Sequence, residues 1–167
     1  MNYGFADEIN AEDSLMLAPP LPRSEEEASS DDLFARRMAL LSSMGAEPRI
    51  FLPQPSDEGV DQRVKIEDAL RMLSVFAMTA EELEAASSGA HFDVRKRSLM
   101  ILLRLLQQRS AAMAVTGSAA DDEALLRGGG LDETRRAAIC YRLGQKHICG
   151  SYLRATGELC KREGVSF

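Results

Sequence analysis

The longest apolar pattern in the chain has the period of a helix. Within residues 94–115, leucine and methionine recur at steps of three and four and charged or amide side chains fill the gaps; the apolar set is Leu99, Leu102, Leu103, Leu106 and Met113. This spacing is typical of one face of an α-helix. Such a helix is about 30 Å long, enough to cross a small domain. We therefore expect a core helix over residues 94–115, the most buried helix of the fold.

Shorter patterns of the same kind predict further helices on both sides. Apolar residues at helical spacing indicate helices over residues 33–44 and 64–77, and the acidic start of residues 121–127 indicates a further short helix. Thr79 and Glu82 have the spacing of a capping box, which predicts a short helix from that point. The last long helix is expected to begin at Asp132 or Thr134, and its predicted apolar face is Ala137, Tyr141, Ile148, Tyr152, Ala155 and Leu159. The sequence thus predicts an all-α, multihelical fold.

The segments between these helices have compositions that are typical of connectors. Residues 13–17 are predicted to be extended, because prolines at 19, 20 and 22 follow them and mark a boundary. The acids and serines of residues 23–32 predict a solvated loop that is open to proteolysis. Residues 48–59 contain three prolines and a glycine, which predicts an irregular connector whose Ile50, Phe51 and Leu52 turn inward.

Composition and charge restrict the classes of partner. The 167 residues suffice for one domain with a hydrophobic core. The formal net charge of −6 argues against nucleic acid, because affinity for a phosphate backbone comes from clustered cations. Charged residues interrupt the apolar run of residues 94–115 every few positions, which argues against a membrane span. Since no apolar leader follows Met1, we expect a soluble intracellular protein of the cytoplasm, nucleus or plastid.

The cysteines and histidines do not have the spacing of a metal or catalytic site. Cys140, Cys149 and Cys160 lack a C-x-x-C pair and fall in one predicted helix, so we expect reduced structural thiols and no metal. His91 and His147 have no nucleophile or carboxylate at the spacing of a triad. We expect both to be ordinary solvated or capping histidines.

Three further clusters have simple structural interpretations. The triple glycine at 128–130 lacks the following Lys-Ser or Lys-Thr of a phosphate loop, so a plain loop is expected. Asp121, Asp122 and Glu123 suit the N-terminus of a helix, where the helix dipole favours acids. The basic run of residues 95–97 is expected to be a solvated face that could contact an acidic partner.

Two stretches resemble one family of enzymes, in the family's order. Asn2-Tyr3-Gly4-Phe5, Glu8-Ile9-Asn10 and Asp13-Ser14-Leu15 resemble the end of the SET domain in protein-lysine methyltransferases of the Rubisco large-subunit methyltransferase (LSMT) type. The runs 121–126, 135–138 and 141–146, together with Leu131, resemble the closing helices of that family's substrate-binding domain. The resemblance implies a C-terminal SET remnant at residues 1–22 and a helical Rubisco LSMT-like substrate-binding domain at residues 23–167.

The resemblance implies a catalytic role for one residue of the chain. In such enzymes the tyrosine at the position of Tyr3 lies in the methyl-transfer site, where its hydroxyl helps to orient the lysine amine and the methyl donor. A phenol suits that task, because it stays neutral at pH 7 and offers a polar contact on a rigid ring. The family's donor-binding glycine motif, Asn-His segment and lysine channel precede this tyrosine and are missing from the sequence. The implied cofactor is therefore S-adenosylmethionine in the full-length enzyme, with none expected for this chain alone.

The implied function is the protein-substrate-binding region of a SET-type protein-lysine N-methyltransferase. Its partners would be a protein substrate and an upstream SET domain, and the chain itself would be a fragment without its own catalysis. A different possibility is a stand-alone helical protein-interaction module. A third is a fragment of a gene whose full product is an active enzyme. A SET core in the reading frame upstream of Met1 would separate these alternatives.

Overall fold

The fold consists mainly of helices. The computed structural model describes residues 14–18, 32–55 and 62–165. Within these ranges the elements are β1 Ser14–Leu17, α1 Asp32–Ser43, β2 Ile50–Pro53, α2 Gln62–Ala77, α3 Ala80–Ser87, α4 Arg95–Ala114, α5 Ala119–Gly128 and α6 Glu133–Arg162. The all-α prediction is confirmed, because the described sheet has just two short strands. Tyr3, the prolines at 19, 20 and 22 and most of the predicted loop 23–32 lie outside the described residues.

The two strands form a small antiparallel sheet that covers one side of the helices. Their inward side chains are buried; these are Leu15, Leu17, Ile50 and Leu52. Met16 and Phe51 are cross-strand partners on the outer face. The prediction of an irregular connector over residues 48–59 is wrong at β2, and Phe51 is 54% exposed instead of turned inward. The reason is the strand period, which sends alternate side chains to opposite faces.

Capping residues determine where the shorter helices begin. The N–H of Glu82 donates to Thr79 Oγ1 and the N–H of Thr79 donates to the Glu82 carboxylate, so the predicted capping box is confirmed. Ser118 and Asp121 form a second capping box. Helix α5 therefore begins at Ala119, before the predicted start at residue 121. Asp132 caps α6, as predicted.

Helix α4 lies in the main core, between α2 and α6. Leu99, Leu102 and Leu106 are fully buried, which confirms the predicted leucine face. The prediction that α4 is the most buried helix is wrong. Eight of the 16 residues of α2 are buried, against five of the 20 residues of α4. Helix α2 contacts α1, β2, α4 and α6, whereas α4 has no buried residue after Leu106.

Helix α6 joins two hydrophobic clusters. Its 30 residues make it about 45 Å long. The C-terminal half contributes Ile148, Cys149, Tyr152 and Cys160 to the main core. The N-terminal half contributes Ile139, Cys140 and Leu143 to a smaller cluster with Leu126 of α5, which we call the second core. The long helix therefore holds the second core against the main core.

The predicted apolar face of α6 is only partly correct. Ile148 and Tyr152 are buried as expected, but Tyr141 is 53% exposed. The prediction that the three cysteines are structural thiols is confirmed, since all are buried and free. Within the described ranges, no helix combines the length and apolarity needed to cross a membrane.

Truncation of a core leucine tests the packing of α4. Leu102→Ala should lower the free energy of unfolding by about 2–5 kcal/mol, because it removes apolar contacts and leaves a cavity in the core. Chemical denaturation measures the change. The control is Gln107→Ala, at an exposed position of the same helix, which should change it by less than about 0.5 kcal/mol. A similarly small effect of Leu102→Ala would contradict the described packing.

Candidate functional site

An open groove lies between α2 and the start of α4. Its volume is about 230 Å³. Leu70 and Val94, both buried, supply apolar surface, and Phe92 adds an aromatic ring that is 36% exposed. The other lining residues are polar or charged: Glu67, Arg71, Ser74, Asp93, Arg95 and Ser98. The groove therefore combines apolar surface with charges of both signs.

Arg95 fixes the geometry of this groove by joining three helices. Its Nη1 and Nη2 each donate to one oxygen of the Glu67 carboxylate on α2, both at 2.6 Å. Its Nε donates to both oxygens of Glu163, just after α6, at 2.8 and 3.0 Å. The hydrogen bonds from Arg95 lower the pKa of Glu67, so that this carboxyl is ionised at neutral pH. Arg95 thereby ties α2, α4 and the end of α6 together.

Arg97 makes a second link between helices. Its Nη1 and Nη2 donate to the two oxygens of Glu82 at 2.8 and 2.6 Å. The hydrogen bonds from Arg97, followed by the one from the Thr79 backbone, lower the pKa of Glu82 to about 2. Both arginines stay partly exposed, as expected for a solvated face, but each is paired with carboxylates of this chain. Lys96 alone of the three forms no ion pair with any described residue.

A buried carboxylate joins α5 to α6 at the junction of the two cores. Asp122 is 0% exposed and accepts hydrogen bonds from Arg142 Nε at 3.0 Å, from Arg142 Nη2, and from Lys146 Nζ at 2.7 Å. Lys146 Nζ also donates to the carbonyl of Gly117, at 2.6 Å. We call Asp122, Arg142 and Lys146 the Asp122 clamp. It fixes the loop before α5 to the middle of α6.

The charge of Asp122 depends on its two partners. Burial by itself would raise the pKa of the carboxyl, but hydrogen bonds from Arg142 and Lys146 outweigh burial, and the pKa is lowered. Because folding lowers this pKa, the ionised group stabilises the fold at pH values above its unfolded pKa. That contribution is lost as the pH falls through the folded pKa.

The acidic run 121–123 was predicted to serve a helix N-terminus, and this is confirmed for Asp121, which completes the capping box. Asp122 has the different role just described. Glu123 is half-exposed and its Oε1 lies 3.7 Å from Nε2 of His147, which is also half-exposed. Gly129 and Gly130 both have positive φ and form the predicted loop between α5 and α6.

The catalytic candidate from the sequence, Tyr3, lies outside the described residues. None of the described residues, 14–18, 32–55 and 62–165, takes part in a group of three or more side chains that could hold a metal ion. Neither histidine belongs to such a group among the described residues. His91 is exposed, and His147 approaches one carboxylate. The described site is thus a groove whose walls are joined by the ion pairs of Arg95. The Asp122 clamp joins α5 to α6 elsewhere in the fold.

Removal of the buried charge tests the clamp. Asp122→Asn should lower the free energy of unfolding at pH 7 by about 3 kcal/mol, because the buried ammonium group of Lys146 and the partly buried guanidinium group of Arg142 lose their counter-charge. The difference from the wild type should shrink as the pH falls through the folded pKa of Asp122. Denaturant unfolding at several pH values measures both effects.

Glu123→Gln is the matched control. Glu123 follows Asp122 in the chain, but its carboxylate is half-exposed and approaches just His147 among the described residues. It should change the free energy of unfolding by less than about 0.5 kcal/mol. Equal effects of the two substitutions, or an Asp122→Asn effect that does not vary with pH, would show that the clamp does not stabilise the fold.

Comparison of the sequence with protein-family models identifies a family. Residues 28–148 match the family model described as Rubisco LSMT substrate-binding. The matched region includes α1 to α5, the groove, the Asp122 clamp and the first half of α6. The curated proteins contain no match to the chain. Since the family model covers most of the sequence, this chain belongs to the Rubisco LSMT substrate-binding domain family.

Proposed function

We propose that this chain is the protein-substrate-binding region of a SET-type protein-lysine N-methyltransferase. The observation that carries the proposal is the family match over residues 28–148, which supports a role in binding a protein substrate. In this proposal the helical domain holds the substrate protein while an upstream SET domain binds S-adenosylmethionine and transfers the methyl group. The chain by itself would bind protein and would not catalyse.

The groove supports the protein-binding part of the proposal. Small-molecule sites usually have volumes of about 300–1,000 Å³. A volume of about 230 Å³ suits a single side chain of a partner better than a cofactor. The lining residues lie on α2, at the start of α4 and in the segment just before α4, and Arg95 joins the two helices. A site on rigid elements binds a partner with little loss of conformational entropy.

The attachment of the N-terminal segment supports the link to an upstream domain. Strand β1 lies within residues 1–22, the proposed SET remnant, and its Leu15 and Leu17 are buried in the main core. Gln145 Nε2 on α6 donates to the carbonyl of Ser14 at 3.0 Å. A domain joined before Ser14 would therefore be anchored to the helical body. The role of Tyr3 in the methyl-transfer site is proposed on the sequence motif at residues 2–5.

The proposal is tested by methyl transfer with the product of the whole reading frame. Methyl transfer to a protein lysine should appear, and Tyr3→Phe should lower the rate while the affinity for the protein substrate changes little. The reason is that the hydroxyl acts at the reacting amine, whereas the helical domain holds the substrate elsewhere. Tyr141→Phe is the matched control, since Tyr141 is an exposed tyrosine of α6, and its rate should equal that of the wild type.

Calorimetric titration of the chain alone with S-adenosylmethionine completes this test. We expect no tight binding. A dissociation constant in the low micromolar range, which corresponds to a binding free energy near −8 kcal/mol, would show that the cofactor site is not confined to the upstream SET domain. Equal rates for the wild type and Tyr3→Phe would refute the role of Tyr3. Protein binding without methyl transfer by the whole product would favour a stand-alone interaction module.

A further inference from the structure

The outer face of the two-stranded sheet is apolar in both strands. Met16 on β1 and Phe51 on β2 are cross-strand partners, and their side chains are 56% and 54% exposed. An antiparallel sheet that packs one face on a core usually presents polar side chains on its other face. In this sheet the inner positions and the central outer positions are all apolar. The outer face therefore lacks the usual composition of a sheet surface that stays in water.

The sheet also lacks the features that usually prevent association. Strands β1 and β2 contain no charged residue, although charged side chains are a common protection of exposed strands. Within the described residues the sheet has just these two strands, so each keeps one unpaired edge. Methionine and aromatic residues are enriched, and charged residues depleted, at the centre of protein–protein interfaces. The outer face has the composition of such a centre.

The position of β1 in the chain identifies what covers this face. The strand lies within residues 1–22, the proposed SET remnant, and its Leu15 and Leu17 fix it on the helical body. The sequence has 13 residues before Ser14, which span at most about 45 Å when extended. A domain joined through this segment stays close to the sheet, and such a tether gives an effective concentration of about millimolar. The domain to which the remnant belongs is therefore the favoured occupant.

We propose that the outer face of the sheet, with Met16 and Phe51 at its centre, packs against the upstream SET domain. The proposal rests on the proposed function and names the surface by which the helical domain holds its catalytic partner. Strand β1 is then packed on both faces, by the helical body and by the SET domain. Because β2 contacts α2, which lines the groove, this packing fixes the SET domain relative to the groove.

Thiol labelling tests the contact by comparing this chain with the product of the whole reading frame. The native cysteines of the chain are buried, so Phe51→Cys places an accessible thiol on a surface without others. N-ethylmaleimide should modify this thiol readily in the chain alone. In the whole product the reaction should be about tenfold slower or more, because a covered thiol excludes the reagent. Mass spectrometry of the peptide that contains position 51 measures the rate, and Met16→Cys should behave in the same way.

Leu125→Cys is the matched control, because Leu125 is 48% exposed on α5, which packs against α6. Its thiol should react at the same rate in the chain and in the whole product. Met16→Cys and Phe51→Cys should leave the unfolding midpoint of the chain alone nearly unchanged, since both side chains point away from the core.

Phe51→Lys tests whether the contact is apolar. Combined with Met16→Cys in the whole product, it should raise the labelling rate by about tenfold, because an unpaired ammonium group is costly in an apolar contact. Leu125→Lys in the same background should leave the labelling slow.

Equal labelling rates in the two proteins would overturn the contact, whether both rates are fast or both are slow. A rate in the chain alone that rises on dilution would show that a second copy covers this face instead. A whole product without a domain before Ser14, or a Phe51→Lys substitution without effect, would also overturn it.

Methyl transfer by the whole product separates this contact from the proposed function. Methyl transfer together with equal labelling rates would reject the contact alone. Slower labelling in the whole product without methyl transfer would support the contact and reject the proposed catalytic role.

Discussion

The buried Asp122 carboxylate is the interaction on which the second core depends. The second core is small, and its fully or nearly buried members are Leu126, Ile139, Cys140 and Leu143. Burial of so few side chains gives limited stabilisation against the entropy of ordering α5 and half of α6. Arg142 and Lys146 hold the carboxylate, and Lys146 also binds the Gly117 carbonyl. The loop before α5 is thereby fixed to α6.

A second ion-pair network lies at the C-terminal end of α6. Arg95 binds Glu163 after α6 and Glu67 on α2, so the C-terminal end of the long helix is joined to the two helices that form the groove. Between the two networks, Ile148, Cys149 and Tyr152 lie in the main core. Helix α6 is therefore held by ion pairs near its middle and just after its C-terminal end, and by packing in the main core between these two points. The groove occupies the end at which Arg95 fixes three elements.

Local patterns in the sequence predicted the parts of this structure that depend on neighbouring residues. The leucine face of α4 and the capping box of Thr79 and Glu82 follow from spacings of three and four residues. Contacts between distant residues were not predictable in this way. Asp122 lies 20 and 24 residues from its two partners, so nothing in its local sequence distinguishes it from Asp121. The groove could not be predicted either, because its lining residues come from two segments that are distant in the sequence.

The two wrong assignments of faces have a common physical reason. The prolines of its segment predict a connector and leave Phe51 facing inward, but strand pairing with β1 places it on the outer face. Tyr141 was assigned to a single apolar face of α6, but this helix packs against α5 in one half and against α4 in the other. The buried face therefore changes along the helix, and one helical stripe could not predict both contacts.

Hydrogen exchange in the Asp122→Asn variant tests most directly whether the clamp holds the second core on the main core. Local unfolding of α5 and the first half of α6 would expose their amides without unfolding the rest of the domain. Mass spectrometry should show nearly complete loss of protection at residues 119–128 and 133–147, while residues 95–106 and 148–160 stay protected and exchange faster only by the amount that the lower global stability of the variant allows. The same residual protection in all four ranges, or no increase in exchange in any, would contradict this role of Asp122.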